Sequence, residues 1–565
     1  MKKWISWLVL AMMMFGFQSV QAQISDLTFD DEYYRLVDRY MVLNNDRLAE
    51  CTSIKPFNRS VFNKHLVMQP GIATFAPPPK VSSFNNSLFV NDNWDALDST
   101  FYFYKREAKN ALLNRFFAYT GSFFSVNEKD FKLVVNPVLA VNGGFSPTEN
   151  IYRNTRGAEL RGSIANKVGF YSFLSENQFR YIEDYRNQTA QTGIIPGTGF
   201  IKNFGQNGHD FLNARGYITF GLNKYMTAKF GHDKNFIGNG YRSLIMSDFA
   251  KENLFLKIHT RVWKINYVNI FSELTDYQNG GINGLKKKYS AFHYINLRFL
   301  NNKAEIGLFE NIIFARNDSN QQAGFELNYL NPIIFYRAVE HGLNSSDNAF
   351  LGTDWKWNFA INKQFYGQFV LDEFHKNELF GRTGSWVNKW GMQAGVKWFN
   401  VLKISNLDFQ LETNLVRPYV YTHFKPDQSY THFDQPIAHP MGANFKEVLA
   451  IVRYQPIPKL SFTLKAFNIL HGTDSSYTSF THSGGNINAG YNNRQKEKGI
   501  KIGDGLKDKL QIFDVSASYQ FYNRTYFDLR LVYRNAKREA PLNSNKAILL
   551  MAGLRMNIAQ QRFDY

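Results

Sequence analysis

From about Phe131 onward the chain alternates apolar and polar residues in segments of roughly 9–13 residues, the length a tilted strand needs to cross a bilayer. Leu407, Phe409, Leu411, Thr413 and Leu415 alternate with Asp408, Gln410, Glu412 and Asn414. Trp390, Met392, Ala394, Val396 and Trp398 alternate with Gly391, Gln393, Gly395 and Lys397. Phe513 to Phe521 and Phe527 to Tyr533 repeat the pattern. A period of two puts one residue set on each face of a strand. Strands of a soluble sandwich or propeller average only about 5–6 residues. About 18 such segments fit, separated by turns such as Asn301-Asn302, Pro456-Ile457-Pro458 and Tyr522-Asn523-Arg524. The expected fold is an all-β transmembrane barrel of about 18 antiparallel strands, with lipid outside and a polar lumen inside.

Composition agrees. Aromatics are 16% of the 565 residues, with 52 Phe and 31 Tyr. Mean hydropathy is nevertheless negative, at −0.36. The aromatics are spread along the chain, whereas a soluble core would gather them into compact apolar segments. Past the first residues, no apolar run is long enough for a membrane helix.

At the start, Lys2 and Lys3 precede the uncharged run Trp4–Phe17, and Val20-Gln21-Ala22 has the form of a cleavage site. This is the pattern of a secretory signal peptide over residues 1–22, with a mature chain from Gln23 and export to the outer membrane of a Gram-negative cell. The single cysteine, Cys51, excludes an intrachain disulfide. Net charge is +18, or +16 without Lys2 and Lys3. That charge could line the lumen, face lipopolysaccharide phosphates or attract an acidic polysaccharide; the export signal argues against nucleic acid.

Residues 23–126 read as a helical and linker region, and 127–565 as the barrel. Asp30 and Asp31 precede Tyr34, Val37, Tyr40 and Met41 at helical spacing. Ser60 caps a short predicted helix through Met68, Pro77-Pro78-Pro79 reads as a rigid linker, and Trp94–Phe117 as another helix. Polar stretches Tyr185–His209, His232–Asn253, Glu340–Gly352, Thr422–Asn444 and His471–Lys507 are candidate outer loops or lumen plugs. The last predicted strand is Ala547–Asn557, and Phe563 and Tyr565 have the spacing of a barrel-assembly signal.

Catalytic motifs are missing: there is no Gly-x-Ser-x-Gly, His-Glu-x-x-His or Walker A sequence. Gly238-Asn239-Gly240 lacks the third glycine of a dinucleotide fingerprint, Ser243 standing there. His232, Asp233 and Ser243, or His341, Ser345, Ser346 and Asp347, could form catalytic pairs only if the fold converged them, and His232, Asp233 and Asp248 lack a fixed metal-ligand spacing. No enzyme activity, cofactor or metal is expected. Trp355, Trp357 and Tyr366 could stack on sugar rings, or belong to the interfacial aromatic girdle that any barrel carries.

Three blocks go beyond a generic barrel. They are residues 229–276, containing Gly238-Asn239-Gly240-Tyr241-Arg242-Ser243-Leu244; residues 325–359, containing Asn331-Pro332-Ile333-Ile334-Phe335-Tyr336-Arg337; and the upstream VVNPVLAVNGG with NTRGAELRGSIANKVGFYSFLSENQ. Together they resemble the Wzi-like capsule-assembly outer-membrane proteins of Bacteroidetes, including those called gliding-motility RemB. The resemblance implies an approximately 18-stranded barrel that holds capsular polysaccharide at the surface without catalysis, or a surface motility role with motility or secretion proteins as partners. Within the shared blocks, Gly238 and Gly240 would permit a tight lumen path. Arg242 could bond loop carbonyls or pair with Asp248, and Arg337 with Glu340 near His341. Such pairs would hold a lumen plug or contact a ligand.

Overall fold

A computed structural model describes residues 24–29, 31–44, 51–59, 80–97, 113–146, 150–183, 185, 193–277, 285–315, 326–332, 347–372, 383–475 and 481–564. Eighteen antiparallel strands close into one barrel. In chain order they are β1 (Phe131–Phe145), β2 (Asn150–Ile164), β3 (Val168–Arg180), β4 (Gly208–Gly221), β5 (Met226–Asp233), β6 (Asn253–Val262), β7 (Ile265–Tyr277), β8 (Leu285–Phe299) and β9 (Ala304–Phe314). They continue with β10 (Asn348–Ala360), β11 (Lys363–Asp372), β12 (Trp390–Trp398), β13 (Leu407–Val416), β14 (Phe445–Ile457), β15 (Leu460–Thr473), β16 (Leu506–Tyr522), β17 (Thr525–Arg538) and β18 (Asn545–Met556).

The seam joins β18 to β1, pairing Leu550 with Phe145 and Met556 with Leu139. It covers only the second half of β1. The first half is paired by the short strand Phe124–Asn127, with Val135 opposite Phe124. The seam therefore leaves no long open edge to template aggregation.

The alternation does what its period requires. On β13, Asp408, Gln410, Glu412 and Asn414 are buried toward the lumen, while Leu411 is 41% exposed. On β17, Phe527, Leu529 and Leu531 face outward, and Asp528, Arg530 and Arg534 are buried. Outward apolar residues match lipid, and inward polar ones find partners. Leu531→Arg would put a charge near mid-strand on the lipid face and is expected to cost about 2–4 kcal/mol in reversible folding into lipid vesicles. An unchanged folding free energy would contradict the outward assignment.

One barrel end carries tight turns, as between β4 and β5 or β16 and β17; the other carries the long connections 181–207, 234–252, 315–347, 417–444 and 474–505. The lumen between them is filled. Helix α1 (Asp31–Leu43), expected from its spacing, lies at the tight-turn end, where Arg39 bonds Asn400 and Asn406. Its Arg35 and Arg39 both pair with Asp408, and Asp38 pairs with Lys397 at 2.6 Å. Helix α2 (Lys80–Asp92) joins it, with Asn85 bonding Gln455 and Asp92 bonding Tyr33. Burial alone would raise the Asp92 carboxyl; the Arg524, Arg161 and Arg59 guanidiniums outweigh it and hold the group below the usual range.

The connection 234–252 also turns inward. Its Phe236 and Ile237 pair with Lys55 and Ile54 in a two-stranded sheet inside the barrel. Ile237, Leu244 and Ile245 join Val268, Tyr294, Phe309, Val370, Tyr421 and Tyr430 in the main apolar core. This core sits inside the barrel, where a porin has water.

Several expectations change. The helix foreseen over Trp94–Phe117 begins as a single 3₁₀ turn, Trp94–Ala96, and 98–112 lie outside the described residues, as do 1–22, Ser60–Met68 and the proline linker. Phe563, read as part of a barrel-assembly signal, lies beyond the last strand. The last strand stops at Met556, and Phe563 is buried in the lumen, stacked on Tyr185 with centroids 6.4 Å apart.

Candidate functional site

Two places draw chemically active side chains together: the plug anchor inside the lumen and an aromatic cluster on the long-loop face.

The anchor is built on Gly238–Leu244. Gly238 has φ +138°, in the region glycine tolerates. Gly240 does not take a positive φ; it is required by close approach, since a Cβ there would lie 2.7 Å from Glu412 Oε2 and 2.6 Å from the Arg242 carbonyl oxygen. The Glu412 carboxylate accepts from the backbone N–H groups of Tyr241 (2.7 Å) and Arg242 (3.1 Å). Gln393 Nε2 donates to the Arg242 carbonyl at 3.0 Å. Gln368 accepts from Leu244 N at 2.7 Å and donates to Ile237 O at 3.0 Å. Three strand side chains thus hold the loop by its backbone.

Arg242, 4% exposed, reaches Glu447 at 3.3 Å and Asp564 at 3.6 Å, and donates to the Asp564 carbonyl. Tyr241 donates its hydroxyl to the same Asp564 carboxylate. Burial pulls the Arg242 guanidinium down, but the Asp564 and Glu447 charges prevail and raise it. Burial would raise Asp564; Arg242, Lys465 and Arg562 hold it below the usual carboxylate range. The predicted Arg242–Asp248 pair does not form. Asp248 pairs instead with Arg562 at 3.0 Å, because the segment after β18 folds back through the lumen and supplies its own partners for both residues. Sequence separation of more than 300 residues hid this pairing.

The remaining sequence candidates scatter. Trp355 and Trp357 share the outward face of β10, between the buried Asp354, Lys356 and Asn358; Trp357 is 49% exposed and packs on Phe359. This is girdle geometry. Tyr366 points the other way and donates to Glu412 at 2.8 Å. Arg337, Glu340 and His341 lie outside the described residues. The neighbouring Leu327–Leu330 packs on the barrel exterior, with Tyr329 against Phe314. His232, Asp233 and Ser243 do not converge: His232 bonds Ala214 O, Asp233 approaches Lys229 and Arg215, and Ser243 donates to Ile237 O. Among the described residues no group of three His, Cys, Asp or Glu could hold a metal ion.

The second place was missed in the sequence. Connections 383–389, 417–444 and 481–505 interlock at the long-loop end: Trp386 N donates to Glu497 O, and Tyr419 N to Gly484 O, at 3.1 and 3.0 Å. They assemble Trp386, Tyr491, Phe424 and His423. Trp386 and Tyr491 centroids are 4.8 Å apart, and His423 and Phe424 are 4.3 Å apart. Lys389 Nζ lies 4.0 Å from the Tyr491 ring and Arg494 lies 4.2 Å from Trp386. Trp386, Phe424 and Tyr491 remain partly exposed, Lys425 lies 5.8 Å from the Phe424 ring, and the connection that carries Tyr491 also bears the exposed Lys496, Lys498 and Lys501. Aromatic faces edged with cations suit a polyhydroxylated, anionic polymer. The available signal was aromatic residues inside the polar loops, where no girdle needs them.

No family model and no curated protein matches the chain. Among solved structures, Wzi of Escherichia coli, described as an outer-membrane protein involved in group 1 capsule assembly and a carbohydrate-binding β-barrel, superposes with a TM-score of 0.55 at 14% identity, covering 95% of this chain and 100% of that one. The shared feature is the fold. It is an outer-membrane β-barrel fold. OprD of Pseudomonas aeruginosa gives a TM-score of 0.40 at 11% identity, over 75% of this chain and 93% of that one. OccK2 (OpdF) of the same organism, in complex with glucuronate, gives 0.39 at 8%, over 76% and 99%.

Proposed function

We propose that this protein is a non-catalytic outer-membrane barrel that holds an acidic surface polysaccharide on its long-loop face, in the manner of Wzi-like capsule assembly. The observation that carries this reading is the cation-edged cluster of Trp386, Phe424 and Tyr491 at the loop end. The plugged lumen supports it, because a filled barrel serves as a rigid mount for loops better than as a conduit. The likeness to Wzi, described as carbohydrate-binding, points the same way. Residues 1–22 act as the export signal, lipopolysaccharide surrounds the loop end, and 23–126 is the helical and linker region that precedes the barrel at 127–565, its last residues from Phe124 joining the wall beside β1. The resemblance of the blocks around Arg242 and Asn331 supports a kinship with Bacteroidetes proteins of the Wzi-like kind.

A glycan array probed with the refolded protein at two salt concentrations tests this. Binding to acidic glycans that weakens with salt is expected. Trp386→Ala with Tyr491→Ala should cut it about tenfold or more, given roughly 1 kcal/mol for each ring contact. Equal binding by the double variant, or no preference for acidic over neutral glycans, would refute the assignment.

The second reading is a transport pore. It is favoured by a cleft of about 270 Å³ left between the plug and the barrel wall. A motility or secretion role instead requires a protein partner, which co-purification from outer membranes would reveal.

A further inference from the structure

That cleft is bordered at the tight-turn end by Arg524 and Asn557 and at the loop end by Pro196–Thr198 and Pro440. Its wall is the inner face of β2, β3 and β4. Several buried cations of this barrel face a carboxylate: on β2 itself, Arg161 pairs with Asp95 and Glu159. Arg153, eight residues earlier on the same strand face, does not. It is 8% exposed, and its Nε donates to Thr155 Oγ1 at 3.0 Å. Among the described residues no carboxylate lies within ion-pair distance of it, its two terminal nitrogens make no hydrogen bond, and the residue lines the cleft.

Two further atoms in this wall lack a hydrogen-bond partner. Arg215 Nε and Asn213 Oδ1, both on β4, are buried without a hydrogen-bond partner among the described residues. The neighbouring surface is aromatic: Arg153 lies 5.3 Å from the Phe179 ring, Arg215 lies 4.3 Å from Phe173, and Phe179 stacks on Phe211 at 5.4 Å.

A buried cation with no carboxylate in contact is costly to keep, so its retention beside a cavity marks a place for an anion. The guanidinium fork with two unused nitrogens matches the two oxygens of a carboxylate. Ring faces, the unbonded Asn213 amide oxygen and the Arg215 Nε–H suit a hydroxylated ring behind it. We propose that the cleft is a binding site for a sugar acid of single-residue size, its carboxylate seated on Arg153. This site is separate from the loop-face cluster and does not depend on it.

Calorimetric titration of the refolded full-length protein with galacturonate, galactose and chloride tests the proposal. Galacturonate is expected to bind, more weakly at higher salt; galactose, lacking the carboxylate, is not; and chloride should not displace galacturonate beyond the general salt effect. Arg153→Met should weaken galacturonate binding about tenfold or more, the scale of a lost charge-assisted contact. The substitution strands no buried acid, so the barrel should fold; heat-modifiable gel migration checks this. Arg153→Lys keeps the charge without the fork and should fall between. Trp386→Ala should leave galacturonate titration unchanged. The site is overturned if wild-type protein fails to bind galacturonate, if galactose binds as well, or if either Arg153 variant binds at wild-type strength.

Discussion

Arg242→Met is expected to destabilise the lumen plug by about 3–5 kcal/mol, the cost of stranding a buried charge partner. Arg242 reaches two buried carboxylates, Glu447 and Asp564, and also ties down the segment after β18 through the Asp564 carbonyl. Methionine fills much of the volume but supplies no charge or donor. His439, 2.7 Å from the second Glu447 oxygen, could neutralise one of the two acids only by taking up a proton in a site that resists it. The release should appear as protease cleavage within 234–252 and 557–564 in folded, heat-modifiable protein, while the barrel strands stay protected. Arg242→Lys should recover part of the loss. Wild-type resistance in Arg242→Met would mean that Glu412, Gln393 and Gln368, which hold the loop by its backbone, suffice alone.

Mild acid is expected to loosen the outer loop cover, because two of its histidines are built in as neutral rings. His432 accepts from Thr275 N at its Nδ1 (2.9 Å), and its Nε2 donates to Glu252 O at 3.1 Å. Both nitrogens are committed, one as acceptor, so a second proton would break the Thr275 bond. Burial, the largest influence, lowers the His432 pKa to about 3 from an ordinary 6.5. His439 repeats the design: Met441 N donates to its Nδ1 at 3.1 Å, Nε2 faces Glu447, and burial lowers it. The sign follows. A histidine whose folded pKa is depressed contributes stability that is whole above 6.5. As pH falls below 6.5 the released loop binds a proton that the closed loop refuses, and the contribution is lost progressively down to about 3. The loss is of order a few kcal/mol, taking roughly 1.4 kcal/mol per pH unit. Hydrogen exchange across 417–444 should therefore rise between pH 6.5 and 4, and His432→Phe should flatten the rise. A loop equally protected at both pH values would contradict the neutral-ring assignment.

The barrel was legible because its period-two alternation is local. Glu412 and Leu411 declare opposite faces within one strand, and lipid on one side makes the split clean. Helix α1 was legible for the same reason, from the spacing of Tyr34, Val37 and Met41. What the sequence hid is what the lumen does with distant segments. Nothing local says that Asp564 belongs to Arg242, that Asp408 belongs to Arg35 and Arg39, or that the segment holding Phe563 turns inward. The glycines at 238 and 240 announced a tight path, but only the packed structure distinguishes a positive φ at Gly238 from a missing side chain at Gly240. The tryptophans on β10 drew attention as sugar platforms because they stand near a polar loop. Their parity with Phe359 turns them outward, and the loop aromatics Trp386 and Tyr491 meet only because three separate connections interlock.

Planar-bilayer recording of the wild-type protein bears most directly on the claim that this barrel is a filled mount for its loops. The packed lumen predicts insertion without stepwise conductance at neutral pH. Large, long-lived conductance steps from the intact protein would mean that α1, the 234–252 connection and the 557–564 segment do not occupy the lumen together, and the mount would have to be redrawn as a channel.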